Sequence, residues 1–516
     1  MGPAAAAEGI AAVSLRQEPA GASRVAVVGG GLAGLAASVA LARRGLRVEL
    51  FEAMRHLGGR AGSFLDPQTG QQVDHCQHVA MGCCTNLAHF CRTTGIDDCF
   101  TRHRRLHFFG PDGRRSDFAA VGWLPAPLHL LPGLLRLKYL NWRERLGILR
   151  AMGRLARLRL AEDTRDTTVG DWLRAQGQTE QAIERFWSPV LLSALSETPD
   201  RASLAAARKV FLDGFLGARR AYEVEVPNLP LGEIYDRRLA EWLAANGVAV
   251  HLGARVRQID GDAQSARQLV LADGTRRPFE RFVVAVPWHK VRSVLSPAIL
   301  DALPGLAGVE QIQPAAITAV HLWLDRPVTS LLHAVLVGRL SQWLFNHGRQ
   351  PPLPAAGKKG ISPISATRRP SSPSDAERKW DSSPFFHYYQ VVISASHAVG
   401  GGDREQVAAR VLDELKSLWP AARAATLLHH RIVTNPAAVF SVRPGLDALR
   451  PPQETPIRNL ALAGDWTATG WPATMEGAVR SGYLAAEAVL RDLGLGQGVL
   501  VPDLPRATLA RWLFGP

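Results

Sequence analysis

The sequence predicts an α/β fold in which a parallel-sheet domain is interrupted by a second, α+β domain. Three observations lead there. Arg24–Val28 reads as a buried strand, followed by the glycine turn Gly29-x-Gly31-x-x-Gly34, a helix to Arg44 and a second strand, Leu46–Phe51. Such a strand–helix–strand unit is the building block of parallel sheets. Strand-like runs return at Val248–Leu252, Gln268–Leu271 and Phe282–Val286, with Asp273-Gly274 as a turn signal, and at Leu460–Ala463 ahead of a helix-like Met475–Leu490. Two segments of different character separate these pieces. Residues from about 100 to 225 are rich in Leu, Arg and Trp at helical spacing, and those from about 300 to 450 alternate as strands, as in Ile317-Thr318-Ala319-Val320-His321-Leu322-Trp323.

The glycine turn carries the first functional signal. Gly29 permits the tight turn, Gly31 lets the backbone approach a pyrophosphate, and Gly34 lets the helix lie close to the strand. The helix N-terminus offers free N–H groups and about half a positive charge to phosphates. Glu52, 21 residues after Gly31, can accept hydrogen bonds from adenosine ribose hydroxyls. A glycine triplet alone is weak; with strand, helix and acid in register it predicts a Rossmann-type dinucleotide site. Gly45 suits the left-handed position that ends the helix. Val25–Ala42 is an 18-residue run without a charge, the lower edge of a membrane-span signal. Its glycines belong to the turn, and no transmembrane helix is expected.

At 516 residues the chain exceeds the roughly 250–300 at which a single core stops growing. Residues 23–99, 226–300 and 452–495 are assigned to the dinucleotide domain, and 100–225 and 301–451 to the inserted domain. Residues 1–22, Ala- and Gly-rich without a continuous apolar core, are expected to be a disordered lead-in, and 496–516 a C-terminal tail. Within the inserted domain, 350–384 is dense in Pro, Ser, Lys and Arg and is expected to be a flexible insertion. The five cysteines lie between Cys76 and Cys99 at spacings that match no zinc site, which points to reduced thiols in a cytosolic protein and to no metal.

The formal net charge of +14 admits nucleic acid, an anionic membrane or a solvated surface as its cause. Its placement favours the membrane. Residues 121–160 hold eight Arg or Lys and one acid, Glu144, interleaved with leucines, Trp123, Trp142 and Tyr139. Near an anionic bilayer each basic side chain contributes at most about 1 kcal/mol, enough in sum for reversible attachment with inserted apolar side chains. No recognised nucleic-acid module accompanies the charge, and no nucleic-acid partner is expected.

Further motifs narrow the cofactor. Leu57-Gly58-Gly59-Arg60-Ala61 is a second glycine turn, and its arginine can hold a pyrophosphate. Far along the chain, Gly464-Asp465-Trp466 precedes Gly470-Trp471-Pro472-Ala473-Thr474-Met475-Glu476-Gly477-Ala478, an acid after a strand and then a helix start. An acid there can bind a ribityl chain, and helix N–H groups near Met475 can face a flavin ring. These two ends resemble those of the FAD-dependent amine oxidase and phytoene desaturase superfamily. Asp74-His75-Cys76-Gln77-His78-Val79, Val320-His321-Leu322-Trp323-Leu324-Asp325 and Tyr388-Tyr389-Gln390-Val391-Val392-Ile393-Ser394 resemble its squalene-associated branch, the hydroxysqualene dehydroxylases.

The resemblance, spanning roughly 24–490, implies a Rossmann-type FAD-binding domain with an inserted substrate domain. FAD contacts are expected at Gly29, Gly31, Gly34, Glu52, Gly59, Arg60, Val256, Gly464, Asp465, Met475 and Glu476. It also implies an isoprenoid lipid substrate: reduced FAD gives a hydride to an allylic carbinol carbon, water leaves, and squalene remains. Hydroxide leaves poorly, so an acid must protonate it. Asp74, His75 and His78 are the candidates, against the plainer reading of an Asp that caps a turn and histidines that bond the backbone. Trp466 and Trp471 either line the flavin or merely pack. The protein is expected in the cytoplasm, held peripherally on the inner face of the membrane. A carotenoid desaturase, a flavin amine oxidase and a non-catalytic flavin-containing partner of terpenoid enzymes stand as alternatives.

Overall fold

The computed structural model describes residues 23–160, 166–350, 386–399, 403–496 and 498–515. The expected lead-in 1–22 lies outside the described residues, and of the insertion 350–384 only Gln350 lies inside them.

Five parallel strands form the first sheet, in the order Ala249–Leu252, Arg47–Glu52, Arg24–Val28, Arg281–Val284, Leu460–Leu462. Val25, Ala26 and Val27 are fully buried because helices or loops cover both faces, which is why the strand reads as an unbroken apolar run. The helix Leu32–Ala42 follows the turn, and Gly45 at φ +80° reverses the chain into the next strand. Three antiparallel strands, Val256–Gly261, Ala266–Leu271 and Arg276–Pro278, form a small meander between two strands of the sheet, with Gly274 at φ +87° in the turn.

The helix Met475–Asp492 lies against the helix Leu32–Ala42, and a glycine allows the approach. A Cβ at Gly482 would stand 2.2 Å from the Ala33 carbonyl oxygen. The two ends of the nucleotide domain therefore meet at a contact with no room for a methyl group.

The second sheet has seven strands, in the order Leu427–Phe440, Pro314–Leu324, Phe386–Ser394, Trp343–Gln350, His333–Leu336, Arg105–Phe109, Arg115–Ala119. Its pairs are antiparallel except for the parallel contact of His333–Leu336 with Arg105–Phe109. One face, with Val320, Leu322, Tyr389, Val391 and Ile393, is covered by the helix Arg404–Leu418 through Val411 and Leu415. That helix is absent from the strand-only reading of 300–450.

The helical reading of 100–225 needs a larger correction. This stretch supplies the strands Phe100–His103, Arg105–Phe109 and Arg115–Ala119 as well as helices. They are short and interrupted by arginines, so their alternation is drowned in a segment rich in leucine; pairing with distant strands makes them strands. The helix Trp142–Arg157 does form, under a capping box in which the Glu144 N–H donates to Asn141 Oδ1 at 2.9 Å and Glu144 accepts in return from the Asn141 N–H at 2.8 Å. The tail ends in a helix, Thr508–Phe514, which lies beside Trp142–Arg157 and accepts from Arg157 Nε at the Leu513 carbonyl, 3.0 Å.

The contact at Gly482 yields a stability prediction. Gly482→Ala is expected to cost about 1–3 kcal/mol through overpacking, seen as a lower Tm. An unchanged melting curve refutes the close approach.

Candidate functional site

The three glycines of the first turn have different neighbours. Gly29 sits at φ +108°, and a Cβ there would lie 2.5 Å from the Ala285 carbonyl oxygen. A Cβ at Gly34 would lie 1.9 Å from the Gly29 carbonyl oxygen. A Cβ at Gly31 meets nothing within 4 Å. The outer two glycines are thus required by the protein's own packing. The middle one borders open space at a helix N-terminus, where the Ala33 and Gly34 N–H groups have no acceptor inside the helix. This is the cradle that a pyrophosphate fits.

The second glycine turn lies over the first. The Gly58 N–H donates to the Gly30 carbonyl at 2.9 Å, and a Cβ at Gly59 would come within 3.1 Å of Gly31 Cα. Glu52 is oriented by two backbone donors, Gly30 N–H at 2.6 Å and Met54 N–H at 2.7 Å, one on each carboxylate oxygen. The N–H groups of Gly253 and Ala254 donate to the carbonyls of Met54 and Glu52 at 2.8 and 2.9 Å. This brings Val256, the first residue of its strand, close after the loop beside Glu52.

Arg60 joins the two ends of the chain. Its guanidinium donates to Asp465 Oδ1 at 2.5 Å and to the Ala438 carbonyl, on an outer strand of the large sheet, at 2.9 Å. Gly464, at φ +138°, donates its N–H to Ser481 Oγ at 2.8 Å. The loop beyond is held by Arg450, which sequence reasoning missed. Buried beneath it, Arg450 donates to the carbonyls of Thr467, Asp465 and Trp471 at 3.0, 3.0 and 2.8 Å and to Thr469 Oγ1 at 2.9 Å. A single arginine ahead of Pro451-Pro452 carries no spacing signal that could have marked it.

Met475 opens the C-terminal helix, capped by Thr474, whose Oγ1 accepts from the Gly477 N–H at 3.0 Å. The Glu476 side chain turns away from the helix start toward a neighbouring helix. Its carboxylate, fully buried, accepts from the Asn86 N–H and side-chain amide at 3.1 and 2.9 Å and from the Leu87 N–H at 2.7 Å. Burial pushes its pKa up, and these donors oppose that shift. The side chain holds the first turn of the helix Thr85–Thr94, which leaves its backbone N–H as the group for the expected cofactor contact. Trp466, fully buried, donates its indole N–H to the Val286 carbonyl at 2.9 Å, and Trp471 packs with Cys83 and Ala221.

The three candidate acids sit in different settings. Asp74 Oδ1 accepts from Ser63 Oγ at 2.6 Å and from the Leu231 N–H at 2.8 Å, and burial pushes its carboxyl up to about 6 against those bonds. His75 packs on Phe64, ring centroids 5.2 Å apart. His78 Nδ1 lies 2.9 Å from the Cys76 carbonyl, which fixes Nδ1 as the donor. Burial lowers the pKa of both histidines.

Above this segment stands the inner face of the large sheet. Strand alternation places His321, Trp323, Tyr388 and Gln390 there, all buried. Trp323 and Tyr388 stack at 4.9 Å, His347 stacks on Tyr388 at 4.6 Å, and Phe64 meets His321 edge-on at 6.0 Å. His321 Nδ1 is 2.8 Å from the Tyr388 hydroxyl, while its Nε2 is buried without a partner among the described residues. Burial pushes His321 down to about 3 and His347 to about 4, so both are neutral imidazoles at physiological pH. The result is a wall of rings without a net charge.

Two predictions follow from the site. Gly31→Ala adds a methyl group that the protein itself does not contact, so the variant should fold with an unchanged apoprotein Tm yet bind flavin at least about tenfold more weakly. Full flavin retention in visible absorbance refutes the cradle. Asp74, with a folded pKa raised to about 6, contributes stability that is fully present below the unfolded value of 3.8 and is lost as pH rises through about 6. Asp74→Asn should therefore gain on the parent chain in Tm between about pH 4 and pH 7, by the equivalent of about 2–3 kcal/mol. A pH-independent difference between the two curves overturns the assignment.

The chain is similar to known flavoenzymes along most of its length. It is 29% identical over 486 residues to a hydroxysqualene dehydroxylase of Rhodopseudomonas palustris, a match covering 90% of this chain and 98% of that one. It is 25% identical over 500 residues to a 15-cis-phytoene desaturase of Solanum lycopersicum, covering 94% and 80%. The fold is that of a cyclohexylamine oxidase from Brevibacterium oxydans, at TM-score 0.63 and 18% identity over 92% of this chain and all of the other. The model of the flavin containing amine oxidoreductase family matches residues 32–490, and the chain belongs to that family, as an FAD-dependent oxidoreductase.

Proposed function

We propose that the chain reduces hydroxysqualene to squalene, replacing an allylic C–OH by C–H with release of water, at the surface of the cytoplasmic membrane. The observation that carries this reading is the uncharged wall formed by His321, Trp323, Tyr388 and His347. An isoprenoid chain offers nothing to an ion, and aromatic faces shelter positive character on an allylic carbon. Support also comes from the hydroxysqualene dehydroxylases, which match this chain over nearly their whole length.

Reduced FAD, when bound, supplies the hydride. The chain must hold the carbinol, deliver a proton to its oxygen and keep water away. Of the three candidate acids, Asp74 is the one whose protonated form is favoured by burial; the same burial keeps His75 and His78 in the neutral form. We assign the proton to Asp74, whose Oδ2 makes no hydrogen bond among the described residues. His75 and His78 flank it as polar contacts for the substrate hydroxyl.

Membrane attachment is assigned to residues 121–160. Trp123 is 81% exposed and Trp142 66%, and Leu128, Leu135, Leu146 and Leu160 are exposed between the basic side chains. The single acid there, Glu144, is buried in the helix cap, so the outer surface is purely cationic. No helix among the described residues is long and apolar enough to cross a membrane. Attachment of this kind is interfacial.

The test is anaerobic. The flavoprotein in mild detergent is reduced chemically and given hydroxysqualene while flavin reoxidation and squalene are followed together. Squalene appearing in step with reoxidation is expected, faster below about pH 6 than above it, with Asp74→Asn slow at every pH. Intact bound FAD without reoxidation rejects the reading. Oxidation of a polyene by the oxidised enzyme would put the carotenoid desaturase in its place, the reading that the phytoene desaturase relatives favour.

A further inference from the structure

Away from the cofactor cradle lies a cleft of about 780 Å³, bounded by the strands Phe100–His103 and Arg105–Phe109 and by residues 219–223. Its lining holds five arginines, at 102, 104, 105, 219 and 220, and a single carboxylate, Glu223. Glu223 is divided among three of them, with Arg102 at 3.7 Å, Arg104 at 3.6 Å and Arg220 at 3.5 Å. These spans are longer than a direct charge-assisted hydrogen bond, so no one guanidinium is saturated by it. Arg102 also pairs with Glu225. Arg105 reaches Asp117 only at 3.9 Å, and Asp117 is already held by Arg115 at 2.7 Å and His107 at 2.9 Å. Arg219 has no ion pair among the described residues. The cleft is left with a cationic surplus aimed at whatever enters it.

Its position says what enters. The Tyr222 hydroxyl accepts from the Ala120 N–H and donates to the Arg104 carbonyl, both at 2.9 Å, and so fastens the cleft to the start of the membrane-facing segment. Gly122 lines the cleft, and a Cβ there would lie 3.6 Å from the Arg219 guanidinium. The next residue, Trp123, stands 81% exposed. Exposed indoles seat at the headgroup level of a bilayer, the same level as the phosphates. A Trp at the lip of an arginine cleft therefore brings a phosphodiester and five guanidiniums to the same depth.

We propose that this cleft binds the phosphate of an anionic phospholipid headgroup, one lipid per chain, and so fixes how the protein sits on the bilayer. The inference rests on the membrane reading above. It goes beyond it in replacing diffuse attraction with a defined phosphate site, since guanidiniums recognise phosphate by paired hydrogen bonds as well as by charge.

The full-length flavoprotein is floated with three kinds of vesicle: phosphatidylcholine alone, phosphatidylcholine with phosphatidylglycerol, and phosphatidylcholine with oleate at matched surface charge. Two charge-reversed double variants are compared, Arg104→Glu/Arg219→Glu in the cleft and Arg150→Glu/Arg154→Glu on the exposed helix face; bound flavin and circular dichroism check that both fold. The cleft pair should lose at least about tenfold on phosphatidylglycerol and clearly less on oleate, whereas the helix pair should lose equally on both. If the parent chain floats with no anionic vesicle, the membrane reading fails and this inference with it. If it floats but the two variants behave alike on both lipids, the headgroup site alone is overturned. Inorganic phosphate provides the last arm: saturable binding that needs the intact cleft but leaves vesicle binding untouched would make the ligand a soluble phosphate and overturn the lipid assignment.

Discussion

Two carbonyl oxygens set how closely the parts of the FAD domain can approach one another. That of Gly29 faces Gly34 across the first turn of the nucleotide helix, and that of Ala33 faces Gly482 on the C-terminal helix; a Cβ at either glycine would intrude to 1.9 or 2.2 Å. Both contacts exclude every side chain, so the helix Leu32–Ala42 is fixed on two sides, against the sheet and against the last helix. With it are fixed the N-termini of both helices, although one begins at residue 32 and the other at 475. Binding an extended cofactor needs both ends at a set separation, and packing without freedom supplies that.

Charge at the site is arranged in two grades. Arg450 is buried, and its acceptors are three backbone carbonyls, the Thr469 hydroxyl and, at 3.3 Å, the exposed Asp447 carboxylate. Removing a partner from a buried charge costs several kcal/mol, so this network is permanent and shapes the loop after Asp465. Arg60 is a third exposed, but its partner Asp465 is buried, so the guanidinium compensates a carboxylate that would otherwise stand unpaired in the interior. Both arginines hold the stretch that follows the last strand of the parallel sheet.

How much of this was legible depended on the range of the interaction. Gly29, Gly31, Gly34 and Glu52 signal through spacing within one strand–helix–strand unit, and that unit forms where the spacing puts it because the turn is local. The structural task of the Glu476 carboxylate is hidden because its partners, Asn86 and Leu87, lie nearly 400 residues away, and nothing local tells a carboxylate which of two helix starts it will serve. Arg450 and the strands at 100–119 failed for the same reason: their partners exist only once the sheets have formed. The ring wall was half visible. Alternation along Ile317–Trp323 and Tyr388–Ser394 shows which residues share a face, but which face meets the cofactor domain is decided by the helix Arg404–Leu418 on the other side.

The distribution of charge then separates two jobs that one surface cannot do. The rings of the inner sheet face include histidines, yet burial holds His321 and His347 near 3 and 4, so these two imidazoles are neutral at physiological pH. The surplus of basic residues is instead placed outside, along residues 121–160 and in the cleft beside Trp123. A water-insoluble substrate sets both demands on the proposed reading: its chain needs an uncharged chamber, and its source is a bilayer whose surface is anionic. Leucines at positions 321 and 347 would make the wall just as apolar, but without a hydrogen-bonding atom of its own. A neutral imidazole keeps a hydrogen-bonding atom, Nε2 of His321, without bringing an ion, and a wall built that way suits a hydrocarbon that carries a single oxygen.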